Sequence, residues 1–103
     1  MKLDFNLPLT NLKDEIMKNP DGSTVNLNEL LGNALVSTTG KENIIKVFDW
    51  ALTLQKTGIL DLDRADQDTL IKMIKDSDNL SVLSKGRLLK VADKKVEDKL
   101  KVK

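Results

Sequence analysis

Asn26-Leu27-Asn28-Glu29-Leu30-Leu31-Gly32-Asn33-Ala34-Leu35 carries the first clear helical signature in the chain. Asn26 followed by Glu29 reads as a capping box, in which the Asn oxygen accepts from the N3 amide and Glu29 reaches back. Leu27, Leu30, Leu31, Ala34 and Leu35 recur at helical spacing until Ser37-Thr38-Thr39-Gly40 stops the helix. A second helix is expected from about Lys41 to Lys56, where Ile44, Ile45, Val47, Phe48, Ala51, Leu52 and Leu54 cover a broad face before Thr57-Gly58 ends it.

Working toward the C-terminus, Ile59-Leu60-Asp61-Leu62 is short and extended in character. Asp63 is a good N-cap for a third helix, with Asp66 at N3. Carboxylates at Asp63, Asp66 and Asp68 lie beside the positive end of its dipole, each stabilising by a few tenths to about 1 kcal/mol. Leu70, Ile71, Met73 and Ile74 form the buried side, and Asp76-Ser77-Asp78-Asn79 breaks the helix. A last helix begins near Leu80 or Ser81 and carries Val82, Leu83, Leu88, Leu89 and Ala92, with Val96 and Leu100 continuing the series. Gly86 inside it costs about 1 kcal/mol relative to alanine, which implies a close backbone approach or an interruption.

Toward the N-terminus the period changes. Leu3, Phe5, Leu7 and Leu9 alternate with polar residues, as in a half-buried strand that Pro8 confines to an edge or ends. Asn19-Pro20-Asp21-Gly22 is a turn sequence and predicts a hairpin. The expected fold is mainly α within the α+β class: an N-terminal β-hairpin over about residues 1–25, then about four short helices over 27–92 around one core. Residues 93–103 read as a lysine-rich, fraying helical extension of this single domain.

Composition removes several function classes. The 103 residues include no cysteine and no histidine, which excludes thiolate nucleophiles, Ser-His-Asp hydrolases and thiolate or imidazole metal sites. A formal charge of +1 gives little long-range attraction for phosphate or anionic lipid. With no apolar run long enough for a signal sequence or a membrane span, the expectation is a soluble, cytoplasmic protein without a membrane partner.

Asp61-Leu62-Asp63-Arg64-Ala65-Asp66-Gln67-Asp68 has the alternating carboxylates of a calcium loop, but Asp66 and Lys72 stand where that loop needs glycine and glutamate. Helix capping is the better account. Asp14, Glu15, Glu42 and Asp49 lack apolar surroundings that would raise a carboxyl pKa, and the dispersed glycines form no phosphate loop. No catalytic, cofactor-binding or metal-binding residue is therefore assigned, and the chain is read as a non-enzyme needing no cofactor. Its expected partner is another protein or a second copy of itself.

Trp50 lies slightly off the main apolar stripe of its helix and Phe48 within it; a lone tryptophan here belongs to the core or its edge, and if exposed is the best partner-binding anchor. Leu89, Ala92, Val96 and Leu100 have the spacing to pair with another copy. Lys94, Lys95, Lys99 and Lys101 are the remaining partner-binding candidates, and they support the alternative reading as a small nucleic-acid-binding regulator. Against it, Asp93, Glu97 and Asp98 interrupt the tail, and three scattered aromatics make no stacking platform.

The hairpin with its Asp21-Gly22 turn, the segment Leu27 to Leu35, the Trp50 helix, Ile59-Leu60-Asp61-Leu62 before an Asp-capped helix, and Val82-Leu83-Ser84-Lys85-Gly86 together resemble a group of small uncharacterised proteins encoded by tailed bacteriophages and prophages. The likeness covers most of residues 7–92 as a pattern of apolar and turn positions. It implies an accessory or assembly factor that acts by binding, and it carries over no catalytic residue.

Overall fold

The computed structural model describes residues 2–37 and 43–93. In chain order these form β1 (Lys2–Asp4), α1 (Leu27–Ser37), α2 (Ile44–Lys56), β2 (Ile59–Asp61), α3 (Arg64–Asp76) and α4 (Val82–Ala92). The fold is α+β: an N-terminal hairpin region followed by four helices around one aliphatic core.

Local chemistry sets the helix starts. Asn43 accepts from the Lys46 N–H at 3.1 Å, Asp63 from the Asp66 N–H at 2.8 Å, and Ser81 from the Ser84 N–H at 3.1 Å. Each satisfies an amide that the first helical turn leaves without a carbonyl. Because Asn43 caps it, α2 starts at Ile44 rather than at Lys41, which lies outside the described residues. Gly86 neither interrupts α4 nor admits a neighbouring backbone, since nothing lies within 4 Å of where its Cβ would be.

Between β1 and α1 the chain reverses twice. Asn19 N–H donates to Ser23 O at 2.8 Å across the Asn-Pro-Asp-Gly turn, and Lys18 bridges Thr24. Gly22, at a φ of 90°, supplies the left-handed conformation the turn requires. Three extended segments then meet in a closed ring of main-chain bonds. Leu9 N–H donates to Val25 O at 2.7 Å, Val25 N–H to Met17 O at 3.1 Å, and Met17 N–H to Leu9 O at 2.9 Å. Each segment serves both others, so the region has isolated bridges where a long two-stranded ladder would otherwise run.

The regular sheet is long-range. β1 pairs antiparallel with β2, Lys2 opposite Asp61, Leu3 opposite Leu60 and Asp4 opposite Ile59. Leu3, Phe5 and Leu9 are buried as alternation requires, but Leu7 is half exposed. Its N–H donates to Phe5 O at 2.8 Å, a tight bend that puts Leu7 out of phase.

The helices close over this platform. Leu31, Ala34 and Leu35 of α1 meet Val47, Trp50, Ala51 and Leu54 of α2, and Asn28 Nδ2 donates to Leu54 O at 3.2 Å where the two helices pass. Leu70 and Ile74 of α3 and Leu88 and Ala92 of α4 complete the core. Gln67 is buried among them, and its Nε2 donates to Ala92 O at 2.8 Å, satisfying a carbonyl at the end of α4.

Candidate functional site

α2 carries more apolar residues than one interface can take. Val47, Trp50, Ala51 and Leu54 repeat at three and four residues and face α1 and β2. Ile44, Ile45, Phe48 and Leu52 form a second stripe, rotated from the first by about 120° at 100° per residue. Ile44 is 78 % exposed, Ile45 74 % and Phe48 54 %, and Leu52 is also exposed. From Ile44 to Leu52 the stripe is about 12 Å long, at 1.5 Å per residue. Val36, in the last turn of α1, is also exposed.

Trp50, the sequence candidate for a partner anchor, is only 7 % exposed and belongs to the core, so it offers no surface contact. The correction follows from which stripe found a neighbour. The arc from Val47 to Leu54 is covered by α1 and β2, with Trp50 inside it and Phe48 outside. The proposed self-pairing series also changes meaning, because Ala92 is fully buried. Val96, Leu100, Lys94, Lys95, Lys99 and Lys101 lie outside the described residues.

One ion pair ties α2 to α3 on the flank away from that stripe. Lys46 Nζ donates to Asp66 Oδ1 at 2.9 Å, and this hydrogen bond, with the attraction of the same carboxylate, holds Lys46 above the ordinary lysine range against a smaller effect of desolvation. Asp63 adds a weaker pull in the same direction while its side chain caps α3. Two carboxylates of the calcium-loop look-alike are thus engaged in structure. Among the described residues no group of three or more Asp and Glu is gathered as metal ligands.

A second surface feature was missed in the sequence. A groove of about 440 Å³ runs between β1 and α4, with Leu7, Pro8, Leu27 and Val91 as its apolar lining and Lys2, Asp4, Arg87 and Lys90 as its charged one. Arg87 fixes one end. Its Nε donates to Thr10 O at 3.1 Å, its second nitrogen donates to Asn11 O, and it approaches Asp14 at 3.4 Å. No sequence signal pointed to Arg87, because its acceptors are carbonyls more than seventy positions away.

Thr10 also lines the groove, beside Lys2, Asp4 and Lys90, and every buried side-chain polar atom among the described residues is hydrogen-bonded. No helix among them is long and apolar enough to cross a membrane. No family model matches the chain, and comparison with curated proteins and with solved structures gives no significant match.

Proposed function

We propose that this chain is a non-enzymatic binding module that receives an amphipathic helix of a partner protein on the outer face of α2. The observation that carries the reading is the exposed stripe of Ile44, Ile45, Phe48 and Leu52. Large apolar side chains gathered at the surface favour a covering partner, because their removal from water is the main driving force of association. Helical spacing and a width of one helix suit an amphipathic helix laid along α2. Burying one such side chain fully is worth about 1.5–3 kcal/mol, while association itself costs about 4–15 kcal/mol. The stripe is therefore the anchor of a larger contact. Taken with the resemblance to phage and prophage proteins, the role is that of an assembly or accessory factor working in the cytoplasm of the host.

The test is capture by tagged protein from infected or prophage-carrying cells, compared with an Ile44→Ser/Phe48→Ser variant. Loss of a captured protein, with unfolding temperature unchanged, supports the reading. Retention of the same protein at the same yield refutes it.

A further inference from the structure

β1 is paired along one side and open along the other. Phe5 N–H donates to Gly58 O at 2.8 Å, in continuation of the register that sets Leu3 opposite Leu60. Residues of an antiparallel ladder alternate between those that exchange bonds with the partner strand and those whose N–H and C=O point away from it. Since Phe5 bonds to Gly58, the residue just before β2, Leu3 bonds to Leu60 in the same phase, and the main-chain groups of Lys2 and Asp4 point outward. That outward side is the wall of the groove in front of α4.

The edge lies beside apolar surface and an excess of positive charge. Leu7, Leu27 and Val91 provide the apolar lining. Within the lining Lys2, Arg87 and Lys90 outnumber the one carboxylate, Asp4, whose Oδ1 already accepts from the Asn6 N–H at 2.9 Å; Arg87 also approaches Asp14, and Asp61 lies across the ladder from Lys2. Arg87 is committed to the carbonyls of Thr10 and Asn11. Lys2 and Lys90 have no ion pair among the described residues.

We propose that this groove docks an extended acidic peptide segment of a partner protein, which adds to β1 as the third strand of the sheet. Main-chain bonds to Lys2 and Asp4 hold the segment, alternate side chains enter among Leu7, Leu27 and Val91, and its carboxylates meet Lys2 and Lys90. Charge selects this occupant. The β1 of a second copy brings one lysine and one aspartate, with no net charge to answer the cationic excess. Residues 94–103 bring five lysines against Glu97 and Asp98 and would add to it. The site uses different elements from the α2 face and does not depend on that reading.

A fluorescent, end-capped peptide alternating valine and glutamate, titrated into the full chain, tests the proposal together with amide exchange at Lys2 and Asp4. Expected are saturable binding, slowed exchange at both amides, at least roughly tenfold weaker binding in Lys2→Glu/Lys90→Glu, and strong loss when the peptide backbone is N-methylated. The peptide changes leave the protein intact, so they decide the matter even if the double variant misfolds. Equal binding of a valine-lysine peptide, binding without slowed exchange at Lys2 and Asp4, or no saturation by about 1 mM overturns it. Protection of those amides without peptide also overturns it: if it grows with protein concentration a second copy sits there, and if Leu100→Asp abolishes it residues 94–103 do.

Discussion

Replacing Arg87 with alanine should loosen the whole N-terminal region, because this one side chain ties residues 10 and 11 to α4. Hydrogen bonds involving a charged group contribute about 1.5–3 kcal/mol each. Arg87 makes two, to Thr10 O and Asn11 O, from a side chain only 19 % exposed. Water can reach those carbonyls after truncation, so the lower end applies, giving about 3 kcal/mol in total. The approach to exposed Asp14 at 3.4 Å adds at most about 1 kcal/mol. For a domain of this size a 3 kcal/mol loss lowers the unfolding midpoint by roughly 12–24 °C. Arg87→Lys keeps the charge but not the two-pronged geometry, and should lose about half as much. Urea unfolding followed by circular dichroism measures the loss, and amide exchange at Leu9, Met17 and Val25 locates it. A loss below about 0.5 kcal/mol in Arg87→Ala, with exchange at those amides unchanged, would refute the reasoning.

The two aromatics of α2 should behave oppositely: Trp50→Ala loses about 3–5 kcal/mol by opening a cavity, whereas Phe48→Ser changes stability in urea by less than about 1 kcal/mol. Equal losses would put Phe48 in the core. The glycines diverge as well. Gly86→Ala should gain about 0.5–1 kcal/mol, because the site is open and helical. Gly58→Ala should lose more than about 1 kcal/mol, because φ is 75° and the new methyl would collide with the Asn6 amide. Thermal unfolding of both variants checks the signs. Asp21 is held below the usual carboxylate range, first by the Ser23 hydroxyl and then by the Ser23 N–H. A carboxyl lowered in the folded state stabilises above its unfolded pKa and loses that effect as pH falls through the folded one. Intrinsic-rate-corrected exchange at Ser23 should therefore be flat from about pH 5 to 8 and quicken below about pH 4; no change on acidification would remove the Asp21 contact.

Much of this architecture was legible because helices announce themselves locally. Asp63 caps α3 as expected, α4 begins at Val82, next to the expected start near Leu80 or Ser81, and Ile59-Leu60-Asp61 is extended as its composition suggested. What escaped the sequence depends on partners far along the chain. Period alone could not say which stripe of α2 would be covered, so Phe48, expected within the apolar stripe, is exposed, while Trp50 lies in the core as its reading favoured. The bend at Phe5 to Leu7 turned Leu7 alone out of the alternation, which resumes at buried Leu9. The pairing of Lys2–Asp4 with Ile59–Asp61 carries no local signature, and neither does the groove that it creates with α4.

That long-range pairing has a consequence for synthesis. β1 leaves the ribosome before α1 and α2, but its hydrogen-bonding partner follows only when Ile59–Asp61 has been made. At about 5–20 residues per second the wait is several seconds. Throughout it Leu3 and Phe5, both fully buried in the finished protein, have no β2 to close against. The α1–α2 pair can assemble during that interval from its own contacts, and the amino-terminal strand is then sealed in from outside. Nascent chains arrested before residue 59 should accordingly offer β1 to proteases and chaperones, and the finished chain should not.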